Sequence, residues 1–215
     1  MILIPYKQPQ SFTTILFRIF ALIVLFSIFI QAVYIGSLIN YVSAYTEWGL
    51  TMSIIMFILI IIVDLCPYYE LKRLVEVFIE ATFCAQVVIV VVFWTLLVPI
   101  IFFFRRKDYK LTIFRVVFNI EVHILPALLT FLEVKNSKVQ FKSGDKPFMY
   151  IPLLTYGFTA FLFSYLGAIS KYPVFDFKDW KTIPCCVVAC LLNELGFYLG
   201  SLVNKKTLVH INYWD

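Results

Sequence analysis

Residues Gln86–Phe104 read QVVIVVVFWTLLVPIIFFF, a run without one charged side chain. At about 1.5 Å per residue a helix of this length crosses the hydrocarbon core of a bilayer. Met52–Val63, MSIIMFILIIIV, is a second continuous apolar run. A membrane β-barrel would show short segments of alternating polarity instead. Unbroken apolar runs require helix, because only a helix satisfies its own backbone within lipid.

Composition extends that reading to the whole chain. Of 215 residues, 62% are hydrophobic and 14% charged, with 23 Phe. A soluble domain carries about half apolar and about a quarter charged residues, so this much apolar surface needs lipid around it. The predicted fold is all-α: a polytopic membrane protein with six transmembrane helices in one bundle, a single domain over residues 1–215. A net charge of +5 is too small to imply a nucleic-acid partner and fits basic loops facing anionic headgroups. The five cysteines fall in or at the ends of apolar runs, which argues against a disulfide framework or a zinc site. Met1–Phe12 lacks the pattern of a cleaved signal peptide, so the first span is expected to act as a signal anchor.

Six spans are expected: about Phe17–Ile39, Thr51–Cys66, Val77–Phe104, Thr112–Glu133, Met149–Ile169 and Thr182–Val203. Arg18 is expected to snorkel at the entry of the first span. Tyr45, Trp48 and Asp64 are expected at interface level, and Glu80 at the interface or paired. The segment YYELKRLVE, 68–76, is expected outside the membrane, as are the turn RRKDYK, 105–110, and the loop KNSKVQFKSGDKP, 135–147. KYPVFDFKDWK, 171–181, suits an interfacial segment. Counting Lys and Arg on each side tips the termini slightly toward the cytosol.

The fourth span carries the chemistry-bearing residues. Phe118–Glu133, FNIEVHILPALLTFLE, holds Asn119, Glu121, His123 and Pro126, and His123 is one of only two histidines in the chain. Polar groups inside hydrocarbon are costly and mark sites by default. Arg115, Asn119 and His123 are spaced by four and share a stripe that Thr130 continues; Glu121 lies about 200° round from His123. Such a stripe can be a packing network across helices, or it can present a general base to a nucleophile. Hydroxyl and thiol candidates are Ser27, Thr51, Ser53 and Cys84. Thr51 lies about 6 Å along its helix from Glu47, and His123 about 12 Å from Arg115, a difference that helix tilt absorbs. No GxSxG elbow, HExxH helix or Gly-rich phosphate loop is present.

Several motifs resemble the androgen-induced protein family of multi-pass membrane proteins, along nearly the whole chain. Trp48-Gly49-Leu50-Thr51 is similar to the family's Trp and catalytic Thr, with one residue fewer between them. Phe93-Trp94 matches a pair on the third helix. Asn119 and His123 match the family's Asn-His-x-x-His, whose second His is catalytic, with Ile120 in place of the first. Tyr172-Pro173-Val174-Phe175, Tyr198-Leu199-Gly200 with Asn204, and Asn212-Tyr213-Trp214-Asp215 resemble later family motifs. Characterised animal members are threonine hydrolases of fatty acid esters of hydroxy fatty acids. The resemblance therefore implies a multi-pass endoplasmic reticulum membrane protein that takes a lipid ester and needs no cofactor or metal. Thr51 would be the nucleophile and His123 the base, with Asn119 orienting His123 or donating to the oxyanion. The rival expectation is a non-catalytic lipid-binding or scaffolding membrane protein that uses the same stripe for packing.

Overall fold

The computed structural model describes residues 11–35, 44–66, 69–99, 113–137, 139–166, 180 and 182–211. The turn RRKDYK, the Tyr172–Phe175 motif, Asn212–Asp215 and the side chains of Arg115 and Asn204 lie outside the described residues. The helices are α1 (Phe12–Ile35), α2 (Tyr45–Leu65), α3 (Tyr69–Val92), α4 (Ile113–Ser137), α5 (Lys146–Met149), α6 (Ile151–Tyr165) and α7 (Thr182–Ile211). A π-helical turn, Phe93–Leu97, prolongs α3, and a short 3-10 turn, Ser143–Asp145, precedes α5. Among the described residues six helical spans are long and apolar enough to cross a membrane, α5 and α6 forming one of them. They pack as one bundle, as expected of a multi-pass membrane protein. Large apolar side chains such as Phe20, Ile23, Leu154, Phe158 and Leu191 stay exposed on its outside, where lipid would cover them.

The central element is α3, which packs against α2, α4 and α7. It meets α7 closely at Gly196, where an added Cβ would lie 3.0 Å from the Cys84 Cα. Small residues let membrane helices come this near. Leu25 and Ile28 of α1, Leu50 and Phe57 of α2, Phe83 of α3 and Val122 of α4 share the main apolar core.

Helix α3 begins at Tyr69, so most of the 68–76 segment is helix. Its charges are absorbed locally: Lys72 and Arg73 both pair with Glu76. Arg73 also bonds Asp145, which anchors the α4–α5 connection, and Lys146 and Tyr150 both donate to Glu194 of α7 at 2.7 Å. Glu80, expected at the interface or paired, lies ten residues beyond Glu70 in this span, fully buried, and its carboxylate oxygens have no hydrogen-bond partner. Tyr45 and Trp48 belong to the first turn of α2 and pack on Tyr156 of α6, with ring centroids 4.9 and 5.9 Å away.

The charged residue that departs furthest from expectation is Arg18. It does not snorkel; it is 2% exposed. Its Nε and Nη2 donate to Glu133 of α4 at 3.1 and 2.7 Å, and its Nη1 donates to Asp64 of α2. A planar guanidinium can serve two carboxylates at once, which an ammonium cannot match. Removing one member of a buried ionic cluster strands the others at a cost of about 3–5 kcal/mol, whereas replacing all members by apolar residues is often tolerated. Arg18→Met should therefore lower the thermal unfolding midpoint in detergent sharply. Arg18→Met combined with Asp64→Leu and Glu133→Leu should recover most of that loss. An unchanged midpoint in Arg18→Met would contradict this role.

Candidate functional site

Helices α2 and α4 start on the same side of the bundle and run parallel. Two side-chain contacts join them: Thr46 Oγ1 to His123 Nε2 at 3.1 Å, and Ser53 Oγ to Thr130 Oγ1 at 3.3 Å. Each partner lies 77 residues beyond the other, and the two contacts are seven residues apart on both helices. Seven residues are close to two helical turns, so both contacts lie on one seam. Pro126 sits in α4 between them, and its missing N–H leaves the Val122 carbonyl without its helical donor.

His123 is 6% exposed and held on three sides. Its Nδ1 is 2.7 Å from the Asn119 backbone carbonyl, which can only accept, so Nδ1 carries the proton. In the neutral ring Nε2 is then the acceptor, and the Thr46 hydroxyl donates to it. Phe93 stacks flat against the imidazole, with centroids 3.5 Å apart and planes 15° apart. Phe93 opens the π-helical turn, in which the Val98 N–H donates to the Phe93 carbonyl five residues back. Two residues favour the wider turn: Pro99 has no N–H to continue the ordinary ladder, and the Thr95 hydroxyl bonds the Val91 carbonyl at 2.7 Å. Single π turns recur at functional sites because they re-aim side chains within a helix.

Thr51, expected as the nucleophile, is half-buried and donates to the Glu47 carbonyl at 2.9 Å. It lies five residues after Thr46, about 140° round the helix. Asn119 meets His123 through its backbone carbonyl. Glu121 is half-buried, two residues from His123 along the chain. Sequence pattern alone passes over Thr46, because a second span beginning at Thr51 places it in the preceding hairpin. The signal that would have found it is the seven-residue step: Thr46 and Ser53 on one helix answer His123 and Thr130 on the other.

A second polar seam joins α2 to α3. Gln86, 2% exposed, donates both amide N–H bonds to α2, to the Gly49 carbonyl and to Ser53 Oγ, each at 2.9 Å. Among the described residues no group of three His, Cys, Asp or Glu side chains is placed to hold a metal ion.

Fold and site together define a multi-pass helical membrane protein with a buried Thr–His pair at the junction of three helices. No protein-family model, curated protein or solved structure matches the chain.

The hydrogen bonding fixes the ring's protonation pattern. In protein with 15N-labelled histidine and His210→Gln to remove the second histidine, NMR near neutral pH should find Nδ1 protonated and Nε2 bare. A ring protonated on Nε2 would contradict the arrangement.

Proposed function

We propose that the protein is an integral-membrane hydrolase of lipid esters, with a threonine hydroxyl as nucleophile and His123 as general base. The observation that carries this reading is the hydrogen bond from Thr46 to the acceptor nitrogen of a histidine whose other nitrogen is locked on a carbonyl. A nucleophile, its base and the group orienting that base form the constellation that hydroxyl-based acyl transfer requires. His123 Nε2 takes the Thr46 proton as Oγ1 attacks the ester carbonyl, and returns it to the leaving alcohol. The acyl-threonine is then cleaved by water through the same nitrogen.

Support also comes from the resemblance of Trp48, Asn119 and His123 to the androgen-induced family. That resemblance points to fatty acid esters of hydroxy fatty acids as substrates and to the endoplasmic reticulum membrane as location. Its motif would assign the nucleophile to Thr51; the hydrogen bond favours Thr46. A second reading, a non-catalytic lipid-binding or scaffolding membrane protein, draws on one observation. Thr46 and His123 are each only 6% exposed, the burial a packing network would have.

The test is hydrolysis of such an ester by the purified protein in detergent or liposomes. Thr46→Ala and His123→Gln should each lower the rate by about 10²–10⁴-fold, with Thr51→Ala close to wild type. Loss in Thr51→Ala with Thr46→Ala active would return the nucleophile to Thr51. Absence of hydrolysis in the wild type would favour the non-catalytic reading.

A further inference from the structure

Helix α7 carries Glu194, whose carboxylate accepts from Lys146 Nζ and from the Tyr150 hydroxyl, each at 2.7 Å. Unlike the Arg18 cluster this ion pair is open, with the Lys146 and Glu194 side chains 43% and 41% exposed. It also lies deep. Glu194 is 12 residues from Thr182 and 9 from Val203, the limits of its span. Those spacings are about 18 and 14 Å along the helix. Nearby Gly196 meets Cys84, itself 14 residues from Glu70 and 12 from Leu96, so two helices place this level near mid-span.

The flank around the pair is apolar and faces outward: Phe148, Ile151, Leu191, Leu195 and Tyr198 are all exposed. Ionisable groups within spans normally turn to the bundle interior or to a water-filled cavity. Acyl chains offer this pair no hydrogen bonds. One of the three Lys146 N–H groups goes to Glu194, which leaves donors for a further acceptor. Each Glu194 oxygen holds one donor and has a lone pair to spare. The site thus presents one cation and one anion side by side, without net charge. Its complement is a group that joins an anion and a cation on an apolar body. An exposed polar stretch, residues 142–144, leads to it from the end of α4.

We propose that this flank binds the headgroup of a zwitterionic phospholipid, its phosphate on Lys146 and its ammonium on Glu194, with the acyl chains along α6 and α7. The site stands independently of the esterase reading, since neither Thr46 nor His123 takes part in it.

The probe is phosphatidylethanolamine with a diazirine on the acyl chain near the glycerol and a terminal alkyne. It is compared with phosphatidylglycerol and diacylglycerol bearing the same chains, on the full-length protein in maltoside micelles. Phosphatidylethanolamine should label the 147–154 and 191–198 regions about threefold to tenfold more than either comparison lipid, the ratio one hydrogen bond supplies. Glu194→Gln, which leaves Lys146 without its counter-charge, should turn the preference to phosphatidylglycerol. Lys146→Met combined with Glu194→Leu removes both charges together and should make the three lipids label alike. Labelling of the wild type outside these regions, or equally by all three lipids, would overturn the proposal. A preference for phosphatidylethanolamine that survives in the folded double variant would overturn it as well.

Discussion

The bundle depends on one buried cation. Arg18 enters from α1 and holds Glu133 of α4 and Asp64 of α2 at the end of the bundle where α1 begins. A buried guanidinium is tolerable only when its donors are met, and each carboxylate it holds is tolerable only because of it. The cluster therefore ties α2 and α4 to a common point. Asp64 lies 18 residues beyond Thr46, so the tie acts some 27 Å from the Thr46–His123 contact. With that end held, the seven-residue seam delivers Ser53 to Thr130 and, one step further, Thr46 to His123.

Helix α3 closes the arrangement from the other side. Gln86 grips α2 at two points, and seven residues later Phe93, the first residue of the π-helical turn, lies flat on the imidazole. The base is thus set by three different interactions: a hydroxyl on Nε2, a carbonyl on Nδ1 and a ring on its face. Their combined effect is to hold one tautomer in one orientation, the preorganisation that proton transfer from a hydroxyl needs.

Much of this was legible before the fold was known. The apolar runs required helices, and their number follows from the polar breaks between them. His123 stood out because hydrocarbon rarely hosts an imidazole, and Asn119 because it lies one turn before it. The partner of His123 was less legible, for a definite reason. Tyr45-Thr46-Glu47-Trp48 has the polarity of a hairpin, yet it forms the first turn of α2, with Tyr45 and Trp48 packed on Tyr156. Arg18 was hidden by the same kind of competition: a cation near a helix start normally snorkels, and carboxylates 46 and 115 residues away override that tendency. Tertiary pairing, invisible to local pattern, decided both.

The most direct measurement of the central claim is the site of covalent capture. The full-length protein in detergent, treated with a fluorophosphonate and digested, should carry the phosphonyl group on Thr46, and His123→Gln should abolish the adduct. An adduct on Thr51, or one that forms equally well without the imidazole, would contradict the assignment of Thr46 and His123 as the reacting pair.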